Sequence, residues 1–317
     1  MMMSLTGTNS GRYALGKVLS LGSSSMGNAY YIEINRKGYP NPYKLLIECG
    51  LKYKELSRRL LNIGISISDI NGFLVTHEHH DHSISVPALL ERGKKVYAPK
   101  SVFEHFNVLD QVTNENIMKA NHSKRIADKI DVLGFELEHK NEDGSKTYNL
   151  GYIITAECDY ETHNILFVTD TQYIRYDLSN YKFNTIFIEA NNLTRNIIMA
   201  LKQAQAKGDK YKEIHFDRVL HSHMLVENTI KTLIGTKKRN GFDLSETNMI
   251  FLIHLTASGL ANPQVIKSKV QDALKDNKKT RTITIGNRNY LSPKVHVFKK
   301  NGEMVWKKKK RTTQSHI

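Results

Sequence analysis

The chain has 317 residues, of which 40% are hydrophobic and 24% are charged, and this composition is typical of a globular protein. An excess of 46 Lys and Arg over 31 Asp and Glu gives a net charge of +15, which favours a polyanionic partner, although a solvated basic face has the same balance. Two cysteines argue against a disulfide framework, and no apolar run approaches the about 18 residues of a membrane-spanning helix, so we expect a cytoplasmic protein without a membrane contact.

The first half of the chain predicts strands that alternate with helices. Residues 1–12 are polar and are expected to be poorly ordered. Strands are predicted at 18–21, 29–34, 44–49, 70–76 and 95–97, and helices at 53–64, 85–92 and 100–106. The small-residue loop Gly22–Asn28 separates the first two strands. These alternating elements indicate βαβ units.

The second half continues this alternation. Strands are predicted at 130–138, 148–156, 164–169, 184–189, 216–220 and 249–253, and helices at 192–207, 224–235 and 262–275. Residues 281–306 resemble a terminal pair of strands, and 307–317 form a basic tail. Because the sequence has neither an internal repeat nor a low-complexity linker, we expect a single α/β domain over residues 13–306.

A cluster of four histidines and one aspartate follows the strand predicted at 70–76. In Thr76-His77-Glu78-His79-His80-Asp81-His82, His77 and His79 can face one point, and Asp81 and His82 can reach a neighbouring point. Imidazole and carboxylate groups suit Zn²⁺, Mn²⁺ or Fe²⁺. Such a density of histidine directly after an apolar strand is poorly explained by core packing, so a metal site is predicted.

This T-H-x-H-x-D-H string resembles the first signature of the metallo-β-lactamase superfamily. The resemblance covers most of residues 17–262, and it implies an αββα sandwich of two mixed β-sheets flanked by helices, with metal ions at one edge. Residues 19–30 resemble the opening of the YycJ/WalJ-type exonuclease branch. Leu46-Ile47-Glu48-Cys49-Gly50 does so too, although that branch has Asp where this chain has Glu48.

The same resemblance implies three further metal ligands. His139 precedes a Gly-Tyr strand, Asp170 stands in a T-D-T string, and His254 follows an apolar strand, as the family pattern requires. One divalent ion (Zn²⁺ or Mn²⁺) would then be held by His77, His79 and His139. The other would be held by Asp81, His82 and His254, with Asp170 bridging the two. Two such ions lower the pKa of a bridging water and allow metal-bound hydroxide to attack a phosphodiester.

Two further strings resemble the phosphodiesterase branches, including tRNase Z. Ile188-Glu189-Ala190-Asn191 resembles a strand end that carries a functional glutamate, and His221-Ser222-His223-Met224 resembles the segment that opens the following helix. The resemblance implies that Glu189 polarises His223 as a proton donor. The predicted catalytic residues are therefore Asp81, Glu189 and His223.

The intervals between these motifs are too short for the large insertion of RNase J-like enzymes or for the tRNA-gripping arm of tRNase Z. The compact pattern favours a nuclease acting on DNA or RNA. A phosphodiesterase for small cyclic nucleotides, a thioesterase- or lactonase-like hydrolase and a non-catalytic binding protein are alternatives. Residues 281–317 could contribute to a homodimer or could trail in solvent. Candidate contacts to a strand of nucleic acid are Lys94, Lys95, Arg195, Lys237, Lys238 and Arg239, with Ser23, Ser24 and Gly27 as candidate phosphate contacts unless their loop is simply a tight turn.

Overall fold

The computed structural model describes residues 15–140, 144–159, 161–237, 239–256, 260, 262–275, 282–286, 295–298 and 304–307. Two mixed β-sheets pack face to face and carry helices on their outer surfaces, so the predicted αββα sandwich is confirmed. Residues 1–12 lie outside the described part of the chain. Of the predicted tail 307–317, only Lys307 lies within it.

The first sheet contains mainly the N-terminal strands. They are β1 (Leu15–Gly22), β2 (Ala29–Ile34), β3 (Tyr43–Ile47), β4 (Gly72–Leu74), β5 (Val96–Pro99) and β6 (Ile117–Met118). The helices among them are α1 (Tyr53–Leu61), α2 (His80–Ser83), α3 (Val86–Leu90) and α4 (Lys100–His105). Strands β1 to β3 are antiparallel neighbours, whereas β3 to β6 run parallel. The predicted βαβ units are therefore confirmed.

The second sheet follows in the chain. Its first strands are β7 (His122–Ala127), β8 (Ile130–Lys140), β9 (Lys146–Glu157), β10 (Thr162–Val168) and β11 (Thr185–Glu189). The chain continues with α5 (Thr194–Ala206), α6 (Lys210–Ser222), α7 (Val226–Ile234), β12 (Gly235–Thr236), β13 (Arg239–Asn240), β14 (Met249–Ile253), α8 (Pro263–Ala273), β15 (Thr282–Ile285), β16 (Val295–Phe298) and β17 (Met304–Lys307). The sheet order is β15-β14-β11-β10-β9-β8-β7.

Alternating side chains along the strands separate the inner core from the helix-covered faces. In β3, Leu45 and Ile47 point into the cluster between the sheets, whereas Leu46 packs with the helices outside. From the second sheet, Phe167 and Phe187 fill the same inner cluster against Tyr30. The outer face of this second sheet is covered by α7 and α8.

One predicted strand is wrong. Residues 216–220 were predicted as a strand, but they belong to α6, which begins after Asp209; the Asp209 side chain accepts a hydrogen bond from the backbone N–H of Lys212. Phe216 and Val219 are buried three residues apart on one helix face, and a short apolar window does not distinguish this pattern from a buried strand.

The two strands predicted within residues 281–306 are present, but they lie in different sheets. Strand β15 extends the second sheet beside β14, whereas β16 lies in the first sheet between β1 and β17. Local sequence patterns do not specify which strand is the pairing partner. No helix among the described residues is long and apolar enough to cross a membrane.

Candidate metal centre

The histidine cluster (the histidine loop, residues 76–82) spans the turn after β4 and the first residues of the short helix α2. The loop is held by backbone hydrogen bonds from Asn28 N to Asp81 O at 2.8 Å and from Cys49 N to His82 O at 2.6 Å. A Cβ atom at Gly50 would lie 1.6 Å from Asp81 O, so only glycine allows the chain after β3 to approach this closely. The first sheet therefore fixes the position of the loop.

Three histidines and one aspartate form the first group of potential ligands. The donor atoms of His77, His79, His139 and Asp170 lie within 4.8 Å of one another. His139 Nε2 is 3.1 Å from His79 Nδ1 and 3.6 Å from Asp170 Oδ2. His139 lies inside β8 instead of following it, because the strand continues to Lys140.

A second group contains Asp81, His82 and His254, whose donor atoms also lie within 4.8 Å of one another. Asp81 Oδ2 is 3.3 Å from His82 Nε2 and 3.4 Å from His254 Nε2. Asp170 faces this group too, with Oδ1 3.2 Å from His254 Nε2 and Oδ2 3.4 Å from His82 Nε2. Asp170 is thus positioned between the two groups.

Glu189 and His223 form a third group of potential ligands with Asp170 and His254, and the donor atoms of these four residues also lie within 4.8 Å of one another. His223 Nδ1 is 2.7 Å from Glu189 Oε1, and the same oxygen is 3.2 Å from His254 Nδ1. His221, the alternative histidine of this segment, is exposed, and its Nδ1 lies 2.8 Å from Asp217 O. Of the two, only His223 therefore lines the site cavity, which has a volume of about 410 Å³.

Three of the strand ends at this edge carry a left-handed backbone. Glu48 after β3, Asp170 after β10 and His254 after β14 have φ values of 67°, 49° and 52°. A positive φ is uncommon outside glycine, and it persists where the surrounding structure enforces it. Since β10, β11 and β14 run parallel, their carboxyl ends place Asp170, Glu189 and His254 together.

The electrostatic environment divides the histidines into two kinds. Burial lowers the pKa of His77 and lowers that of His139 to about 3, so both rings are neutral at pH 7. Burial opposes protonation of His254 as well, but the surrounding carboxylates outweigh it and raise its pKa to about 10. The pKa of His82 is raised in the same way.

The donor set fits divalent metal ions. His77 Nε2 is buried and has no hydrogen-bond partner among the described residues, although it points towards Asp170 at 3.8 Å. A buried nitrogen without a hydrogen-bond partner destabilises the folded state, and coordination of a metal ion would remove this free-energy penalty. Neutral imidazoles and ionised carboxylates are the forms in which these side chains bind Zn²⁺ or Mn²⁺, so His82 and His254, whose pKa values are raised, would each release a proton when an ion binds.

Asn28 and Glu48 hold the ligand residues in place from behind, and the sequence analysis singled out Glu48 but not Asn28. Asn28 Nδ2 lies 3.1 Å from Asp81 O and 3.2 Å from His82 Nε2. Glu48 is fully buried, and its Oε1 accepts a hydrogen bond from Thr76 Oγ1 at 2.6 Å and lies 3.2 Å from His82 Nδ1. The longer Glu48 side chain therefore still reaches the histidine loop. The small-residue loop before β2 was a signal for Asn28.

The cavity rim adds residues to which the sequence analysis assigned no role. Its lining includes Ser25, Glu78, His80, His105 and Arg218. His80 Nε2 is 3.4 Å from His105 Nε2. These two rings come from the histidine loop and from the end of α4, so only the folded chain shows their proximity.

The residues predicted to contact phosphate groups and those predicted to contact a strand of nucleic acid lie in different places relative to the site. Ser23 Oγ accepts a hydrogen bond from His254 N at 2.9 Å, and Gly27 N donates one to Ser24 O at 2.9 Å, as in a tight turn. None of the described candidate cations lines the site cavity; these are Lys94, Lys95, Arg195 and Lys237. Lys238 and the side chain of Arg239 lie outside the described residues.

Comparison with known proteins agrees with this architecture. The Beta-lactamase superfamily domain matches residues 43–240. Exodeoxyribonuclease WalJ of Streptococcus pneumoniae is 31% identical over 125 residues, which are 38% of this chain and 44% of WalJ. The chain thus spans less than half of the length of this curated relative.

Solved structures share the fold at low sequence identity. The metallo-beta-lactamase fold protein YhfI from Bacillus subtilis has a TM-score of 0.57 and 14% identity, covering 89% of this chain and 99% of YhfI. A long form RNase Z from yeast has a TM-score of 0.53 and 11% identity, covering 90% of this chain and 42% of that protein. The chain belongs to the beta-lactamase superfamily and has the metallo-β-lactamase fold.

Proposed function

We propose that this protein is a binuclear metal-dependent phosphodiester hydrolase, and specifically a nuclease that acts on DNA or RNA. The observation that carries the proposal is the position of Asp170: its Oδ2 lies between His139 of the first group and His82 of the second, and its Oδ1 faces His254 of the second. The Glu189–His223 pair lies at the edge of the same cavity.

In this proposal each group of side chains holds one ion, either Zn²⁺ or Mn²⁺. His77, His79 and His139 hold the first, Asp81, His82 and His254 hold the second, and Asp170 contributes to both. Such ions lower the pKa of a water between them and offset the negative charge of a phosphoryl group. No protein nucleophile is required.

The remaining steps belong to side chains of the chain itself. Glu189 occupies Nδ1 of His223, which leaves Nε2 as the ring nitrogen able to donate a proton to the leaving oxygen. Asp81, whose side chain is 23% exposed and lines the cavity, is placed to orient the attacking water as well as to hold an ion. Asn28 and Glu48 position the histidine loop from behind.

Two observations support a polynucleotide as substrate. The net charge of +15 favours a phosphate backbone, because basic side chains gain free energy from the release of counterions. The partial match to a protein named an exodeoxyribonuclease points in the same direction. A proton donor for the leaving group also suits a phosphodiester better than a thioester, whose thiolate leaves without one.

The test is hydrolysis of end-labelled DNA, end-labelled RNA and 3′,5′-cyclic nucleotides by the full chain loaded with Mn²⁺ or Zn²⁺. An EDTA reaction and the Asp81→Ala/His82→Ala variant serve as controls. Metal-dependent shortening of a polynucleotide, lost in the variant, is the expected result. Cleavage of cyclic nucleotides alone would replace the nuclease by a cyclic-nucleotide phosphodiesterase, and turnover of only thioesters or lactones would refute phosphodiester hydrolysis.

A further inference from the structure

A second cavity lies next to the site cavity, on the surface of α6. It has a volume of about 660 Å³, and Arg218 lines both cavities. The two cavities also adjoin at Ser222 and His223, which are neighbours in the chain and line the second and the first cavity, respectively. The half-buried Arg218 side chain therefore stands at the junction between the metal-site groups and a larger depression.

Arg218 is the one lysine or arginine among the described residues that line the site cavity. Acidic side chains there, such as Asp81 and Asp170, are accounted for by the proposed ions, but Arg218 has no part in holding them. A guanidinium group is always charged at neutral pH, and its fork of N–H donors matches phosphate oxygens. Arg218 lines the same cavity as His223, the proposed proton donor to the leaving group.

The walls of the second cavity suit the rest of a nucleotide better than a further phosphate. Leu201 and Ile214 line it, and Ile214 is 66% exposed, which leaves apolar surface for a base or a sugar. Lys210, the other cation of this wall, lies with its Nζ 2.8 Å from Glu213 Oε2. The acidic Glu213 and Asp217 also line this cavity, and Arg218 lies where the two cavities join.

We propose that Arg218 binds the phosphate of the nucleotide next to the scissile phosphodiester, and that the strand continues from there into the cavity on α6. The inference rests on the proposed function and deepens it, because it selects a polynucleotide of at least two nucleotides over a cyclic mononucleotide. Arg218 is a specificity residue in this scheme: it binds a part of the substrate that does not react.

The test compares a short substrate with a long one. Arg218→Gln removes the charge but keeps much of the side-chain length, Arg218→Lys keeps the charge, and Lys202→Gln is the matched control on exposed surface of α5, outside both cavities. KM and kcat of the metal-loaded full chain are measured for bis(4-nitrophenyl) phosphate and for a twelve-nucleotide DNA. Binding of a phosphorothioate form of that DNA is followed by fluorescence anisotropy between 50 and 300 mM salt.

We expect Arg218→Gln to raise KM and the Kd of the twelve-nucleotide DNA about tenfold, with kcat and the small diester affected less than about twofold. In Arg218→Gln, the magnitude of the slope of the logarithm of the DNA association constant against the logarithm of the salt concentration should decrease by about 0.7, which is the contribution of one phosphate of a single strand. Arg218→Lys should restore the wild-type slope. Lys202→Gln should leave all of these values unchanged.

An equal loss on both substrates would overturn the inference, because Arg218 would then act on the reacting group or on the fold. Unchanged binding in Arg218→Gln, or wild-type protein that does not bind the DNA, would overturn it as well. If Arg218→Gln does not fold, a loss of the salt slope in Arg218→Lys would equally contradict it. Binding that depends on Arg218 in a protein that cleaves no phosphodiester would refute the proposed function alone.

Discussion

Replacement of Glu189 by glutamine tests the hydrogen-bond network behind the site. Four donors converge on this fully buried carboxylate: Thr171 N at 3.2 Å from Oε2, and Asn191 Nδ2, His223 Nδ1 and His254 Nδ1 at 3.3, 2.7 and 3.2 Å from Oε1. A glutamine amide offers one oxygen, so its NH₂ group must face either Thr171 N–H or the two imidazoles. Each buried donor that loses its acceptor lowers the free energy of unfolding by about 1–3 kcal/mol.

We therefore expect Glu189→Gln to lower the free energy of unfolding by about 2 kcal/mol in urea titrations of the chelated protein. Because His223 also loses the group that fixes its tautomer, kcat should fall about 100-fold on the best phosphodiester substrate. Glu227→Gln is the matched control, since it removes a carboxylate outside the site cavity and should leave kcat unchanged. If Glu189→Gln has the free energy of unfolding and the kcat of the wild type, the four hydrogen bonds to Glu189 do not hold His223 in position.

Three further predictions follow from features elsewhere in the fold. Burial raises the pKa of Glu227, but hydrogen bonds from Lys269 and from Thr194 at the start of α5 outweigh it and lower this pKa to about 2. The ionised Glu227 should therefore stabilise the fold fully above about pH 4.3, and this stabilisation should be lost as the pH falls through 2. Urea titrations of the wild type and Glu227→Gln at pH 6 and pH 2.5 would measure the difference. Phe167→Ala, in the core between the sheets, should lower the free energy of unfolding by about 3–5 kcal/mol, and a loss below 1 kcal/mol would show that the core repacks. Zn²⁺ at 100 times its Kd should raise the free energy of unfolding of the wild type by about 2.7 kcal/mol per site, and this gain should be reduced in Asp81→Ala/His82→Ala; calorimetric melts with and without EDTA measure it.

The sequence predicted those elements whose signals are local. The apolar run before Thr76 and the strand that ends at Val168 both lie where the patterns placed them. The segment 216–220 was misassigned because its apolar residues fit both a buried strand and one face of a helix. The pairing partners of β15 and β16 are long-range properties, which side-chain patterns over a few residues do not encode.

For the site, the histidine motif and the resemblance to the metallo-β-lactamase superfamily indicated side chains that the structure brings together. They did not predict the hydrogen bonds between distant parts of the chain that support the site. Ser23 and His254, for example, are 231 residues apart in the chain, and they meet in one hydrogen bond. Arg218 escaped notice because a single arginine in a helix carries no signature until the cavity beside it is known.

The site lies across the seam between the two sheets, and this has a consequence for how the protein acquires its metal. His77 and Asp81 come from the first sheet, whereas His139, Asp170 and His254 come from the second. Neither half of the chain can therefore complete a binding site during folding before the halves have docked. Metal uptake should be a late event, and the ions would act as cross-links that slow separation of the sheets, so that loss of metal would appear first as faster unfolding.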